Sequence, residues 1–133
     1  MTIRILLTVA LVVLCGESTT YAEWVRIASS SSGKSTVYAD PDTHRRKGTI
    51  VKWWELWDNK DLVNKGGVSY LSSKIQAEYD CGEERVRMLA FLDYSGNMGN
   101  GEIVRSNFYD TKWEPIVPGS NGQATWNAAC LKK

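Results

Sequence analysis

The sequence predicts an α+β domain: a single antiparallel sheet of about six strands with a C-terminal helix docked on one face by a disulfide. Three observations predict it. Along 68–81, Leu71, Ile75, Ala77, Tyr79 and Cys81 share one parity, while Lys74, Gln76, Glu78 and Asp80 share the other. That is a strand with one buried and one wet face, as in an antiparallel sheet. Turn signals punctuate the chain at Gly48, Gly66-Gly67, Gly82 and the Gly- and Asn-rich stretch 95–101. Residues 122–131 lose the alternation and can form a short helix, with Trp126 and Cys130 four apart on one face. Cys81 ends a strand on its apolar side, so a bond to Cys130 would pin that helix to the buried face.

The chain opens with an export signal. Arg4 supplies a positive start, residues 5–15 are uncharged and rich in Leu and Val, and Thr20-Tyr21-Ala22 follows a polar stretch with small residues at the peptidase positions. Residues 1–22 therefore read as a cleaved signal peptide and 23–133 as the mature domain. The apolar run is shorter than the roughly 20 residues a membrane span needs. Acylation at Cys15, which would make an outer-membrane lipoprotein, requires a small residue before the cysteine, and Leu14 stands there. Cleavage removes Cys15, leaving Cys81 and Cys130 of the 3 cysteines, and two cysteines in an exported domain are most simply a disulfide.

The strands follow in order. Residues 24–28 and 34–40 flank a serine loop and pair as a hairpin. Pro41, between Asp40 and Asp42, is expected to stop the second strand because it cannot donate to a ladder. That leaves 42–48 as an exposed turn. The third strand runs 49–57 and is bounded by Asp58-Asn59; the fourth runs 68–79, the fifth 85–94 and the sixth 102–109. Pro115 and Pro118-Gly119 break the pattern, and Ser120 or Asn121 caps the helix. A helix this short is marginal alone in water and needs docking.

Charge and motifs exclude more than they assign. Lys and Arg number 16 against 15 Asp and Glu, a balance that cleavage leaves unchanged, so nothing global points to nucleic acid or an anionic membrane. His44 is the sole histidine, in the expected turn, which excludes a multi-histidine metal site. Nucleophile elbow, Walker A and dinucleotide motifs are absent. Glu83-Glu84 sits at a wet hairpin turn. The sequence thus reads as a non-enzyme with no cofactor and no metal.

Two features read as binding surfaces. Arg45-Arg46-Lys47 is the densest positive cluster in a nearly neutral chain and suits an acidic protein or polysaccharide partner. Trp53 and Trp57 share one parity of the third strand, Trp54 and Leu56 the other. One face can pack under the helix. The other is an interface, a homodimer contact included, unless a loop or the N-terminal strand covers it.

The chain also resembles the surface-adhesin protein E-like family of Gram-negative bacteria. The resemblance rests on Trp24, Val37-Tyr38-Ala39-Asp40, Lys52-Trp53-Trp54-Glu55-Leu56-Trp57-Asp58, Tyr79-Asp80-Cys81, Arg85-Val86-Arg87, and Trp113-Glu114-Pro115-Ile116-Val117-Pro118-Gly119-Ser120 ahead of Cys130. It implies a sheet with a disulfide-tethered C-terminal helix and, from the family's namesake, an adhesin that binds host matrix proteins. The poor acylation signal at Leu14-Cys15 departs from surface anchoring. The expectation is a periplasmic or secreted binding protein, adhesin-like, with a periplasmic structural or stress-related role as the alternative.

Overall fold

A computed structural model describes residues 23–108 and 111–131. The expected signal peptide lies outside the described residues. Among the described residues seven antiparallel strands form one sheet: β1 (Val25–Ser29), β2 (Ser35–Lys47), β3 (Ile50–Lys65), β4 (Val68–Asp80), β5 (Arg85–Tyr94), β6 (Ile103–Phe108) and β7 (Glu114–Pro115). The first six pair in sequence order as a meander, and β7 pairs the far half of β5. The helix α1 (Asn121–Leu131) lies on one face. Ser120 caps it as expected, accepting from Gln123 N at 3.2 Å, while Gln123 Oε1 accepts from Gly119 N at 2.7 Å.

Pro41 does not end β2. The ladder to β3 shifts register between Asp40 and Arg45, and Pro41 sits inside that bulge, where no ladder donor is required. Thr43 bridges the gap: its hydroxyl donates to Asp40 O at 2.7 Å and accepts from Trp54 N at 2.9 Å. The expected turn over 42–48 is therefore strand up to Lys47. A second bulge, between Asp58 and Val63, carries β3 past its expected end to the Gly66-Gly67 turn. Both glycines have positive φ, 59° and 77°, as a tight hairpin turn demands. The short β7, at the sheet edge where a proline is tolerated, is the strand the sequence did not disclose.

The main core lies between sheet and helix. Ala39, Val51, Trp53, Ala77, Tyr79 and Ala129 are buried together, and Ile27, Val86 and Trp126 pack around them. Cys81 and Cys130 are bonded, their Cα atoms 5.7 Å apart, which locks the helix onto the end of β4. Trp126 Nε1 donates to Asp80 O at 3.0 Å beside that bond. Small residues such as Ala129, fully buried, let the helix backbone approach the strands.

The opposite face is covered at one end. Leu56 is fully buried there beneath the 3-10 turn Asn97–Gly99. Asp58 Oδ1 accepts from Asn97 Nδ2 and Met98 N, and Ser72 Oγ accepts from Gly99 N, so β3 and β4 hold the turn down. Glycine is favoured at position 99 by its φ of +71°, and it lets Lys74 Cε approach the turn closely. The Lys74 ammonium sits over the rings of Trp24 and Tyr94, drawing the N-terminal segment across the same patch.

Candidate binding site

Because β2 continues as strand, its alternation splits the basic run. His44 and Arg46 turn to the helix side. His44 Nε2 donates to Ala129 O at 2.8 Å with its ring edge-on to Trp53, and Arg46 Nη2 donates to Cys130 O at 2.7 Å. Helix C-termini carry unpaired carbonyls and partial negative charge, so both bonds tie the last turn of α1 to β2. The expected solvated loop histidine is thus a half-buried structural contact.

Arg45 and Lys47 turn to the open face, and sheet register then builds a surface that the linear sequence conceals. One row across four strands reads Arg45, Lys52, Glu78, Arg87; the next reads Lys47, Ile50, Asp80, Arg85. On the β4–β5 side the charges cancel. Arg87 bonds Glu78 at 2.6 Å, Arg85 bonds Asp80 at 3.0 Å, and both guanidiniums stack on Trp113. On the β2–β3 side they do not: among the described residues no carboxylate pairs with Arg45, Lys47 or Lys52. These three surround Ile50 in an open groove of about 480 Å³ that also touches Arg46. Lys52 belongs to the site and was missed; it shows in sequence only once its pairing with Arg45 is known.

Burial in Asp80 works to raise its carboxyl pKa, but bonds from Arg85 and from the backbone N–H of Glu83 and Gly82 outweigh it and hold the carboxyl below its ordinary range. Asp80 thus caps the Cys81–Glu84 turn as well as anchoring Arg85.

Trp53 and Trp57 prove to lie on the helix side. Trp53 is 2% exposed and belongs to the core, and Trp57 is half-buried. Between them stands Glu55, also 2% exposed and, among the described residues, without a cationic partner. Its Oε1 accepts from Trp53 Nε1 at 3.0 Å and from Tyr79 OH; its Oε2 accepts from Trp57 Nε1 at 3.0 Å. Tyr79 OH also bonds Thr125 Oγ1 at 2.9 Å, and Thr125 donates to Gly122 O. Burial raises the Glu55 carboxyl above its usual range despite the opposing bonds from Tyr79, Trp57 and Trp53. Burial and the charge of Glu55 likewise push the Tyr79 phenol well up. A signal existed in the sequence: Glu55 shares the parity of two tryptophans.

Among the described residues no group of three or more His, Cys, Asp or Glu side chains could hold a metal ion, and no helix is long and apolar enough to cross a membrane.

A family model described as surface-adhesin protein E matches residues 24–131. No curated protein matches the chain. Two solved structures of Haemophilus influenzae protein E are similar. The selenomethionine form is 10% identical with a TM-score of 0.61, covering 85% of this chain and 89% of that one. Crystal form II is 11% identical with a TM-score of 0.57, covering 71% and 79%. At these identities the likeness is one of fold.

Proposed function

This chain belongs to the surface-adhesin protein E family, and on that premise we propose that it is an exported, non-enzymatic adhesin-like protein. Its contact surface in this reading is the basic groove on the open face of the sheet. One observation carries the assignment. Arg45, Lys47 and Lys52 stand side by side without carboxylates, while every acidic residue in their two rows is already paired to an arginine. Such a field attracts an acidic segment and sets its approach, and Ile50 offers apolar contact at its centre. We take the partner to be an acidic stretch of a host matrix protein, with an acidic polysaccharide as the competing arm of the test. The contact is assigned to the groove rather than to Trp53 and Trp57, which hold the core and Glu55.

Exposed charges are screened over about 8 Å at physiological salt. Binding to immobilised matrix protein should fall as salt rises, and the variant Arg45→Ser/Lys47→Ser/Lys52→Ser should bind more weakly with a shallower salt dependence. Its unfolding midpoint should shift little, because among the described residues these side chains make no ion pair and the bonds of Arg45 to Asp42 O and His44 O are exposed. Parallel titration on heparin separates the two partner classes. Unchanged binding by the folded triple variant removes the groove from consideration.

A further inference from the structure

We propose that the cleft above Glu55 is a second binding site, for a small primary ammonium carrying a short apolar or aryl tail. The cleft lies between α1 and β3–β5, on the face opposite the basic groove, and the proposal is independent of the adhesive reading. Its volume is about 280 Å³, against the ~150 Å³ cavity that takes one benzene. The walls are apolar: Trp57, Ile75, Val86 and Met88. The polar groups at its ends are what select the ligand.

Glu55 lines the cleft from inside and Glu114 lines it from β7. Among the described residues the one cation lining it, Arg87, is bound to Glu78 through both Nε and Nη2 and stacked on Trp113. The local charge balance is therefore negative. Glu55 receives only neutral dipoles, from two indoles and a phenol. A buried carboxylate without a counter-charge is unfavourable, which is the source of the upward pull on its pKa. An ammonium seated beside it supplies that charge. Three donors already fix the carboxylate in place, so little reorganisation opposes binding. A carboxylate ligand would add like charge beside Glu55 and Glu114, and a neutral alcohol would leave the charge uncompensated. The tail then replaces water along Ile75 and Met88.

The probe is benzylamine, with benzyl alcohol and benzoate as matched controls, added to the purified protein with its disulfide intact. Isothermal titration should give saturable benzylamine binding, with benzyl alcohol about tenfold or more weaker and benzoate weaker still. Proton–nitrogen and proton–carbon NMR should shift the Trp57 indole and the Met88 methyl and leave Lys52 in place. Glu55→Gln should lose benzylamine affinity to the level of the alcohol. Should that variant fail to fold, the amine-over-alcohol preference and the mapped shifts in the native chain decide the matter. Absent saturation, equal affinity for amine and alcohol, shifts centred on the basic groove, or full affinity in folded Glu55→Gln would each overturn the proposal.

Discussion

Tyr79→Phe isolates the bond that stabilises the buried carboxylate. The phenol is 2% exposed, and the substitution removes one oxygen without opening a methylene-sized cavity. Thr125 keeps its bond to Gly122 O, and Glu55 keeps both indoles. The loss is thus two buried hydrogen bonds, to Glu55 and to Thr125 Oγ1, together about 2–4 kcal/mol where the Glu55 carboxyl is ionised. The pH dependence follows from the sign of the Glu55 shift. Its folded pKa is raised above 4.5, so protonation favours the fold: that contribution is present below the unfolded value and is lost as pH rises through the folded one. Removing a donor that favours the carboxylate raises the folded pKa further. The cost of Tyr79→Phe should therefore be about 1–2 kcal/mol near pH 4, where two neutral bonds are lost, and should grow toward pH 8 as Glu55 ionises. Urea unfolding followed by tryptophan fluorescence at both pH values measures it. A cost below about 0.5 kcal/mol at both, or a larger cost at the acid end, refutes the reasoning.

Three further outcomes are expected. Cys130→Ser should cost about 2–4 kcal/mol, from the entropy of a loop spanning 49 residues discounted for native strain and residual structure; chemical denaturation measures it, alongside peptide mapping without reductant. Asp80→Asn should cost about 1–2 kcal/mol at neutral pH. Because the folded pKa of Asp80 is lowered from 3.8, its contribution is present above that value and fades as pH falls through the folded one, so the gap between variant and native chain should close in acid. Exported protein should begin at Glu23, as the Thr20-Tyr21-Ala22 signal proposes; intact mass reads the terminus, and a diacylated species beginning at Cys15 would place the protein on a membrane leaflet instead.

Much of the fold was legible because its causes are local. Alternation along 68–81 marks β4 and its buried face, Gly66-Gly67 marks a turn through the positive φ it needs, and Ser120 marks a helix start through its side-chain oxygen. The cysteine pair located the helix on the sheet because the expected cleavage after Ala22 would leave two cysteines and few alternatives. Composition likewise set the absence of readable catalytic motifs, since those motifs are contiguous in sequence.

The rest was decided by partners distant along the chain. Pro41 reads as a strand stop, and it would be one in a regular ladder; Trp54 N finds the Thr43 hydroxyl instead, so the strand continues through a bulge. That continuation divides Arg45-Arg46-Lys47 between two faces, which no property of the tripeptide itself determines. The basic groove needs the register of four strands, since only pairing shows that Glu78 and Asp80 serve β5 and leave Lys52 and Arg45 uncompensated. Glu55 is the extreme case. An acid in a strand defaults to water, because burying its charge is costly without a partner. Its flanking indoles are near in sequence, but Tyr79 lies 24 residues away, and Thr125 a further 46. Only packing the helix against β3 and β4 assembles those donors, so the sequence determined the regular strands, their faces and the helix, while tertiary structure decided how β2 continues through its bulge, where β7 pairs and where charge is left unpaired.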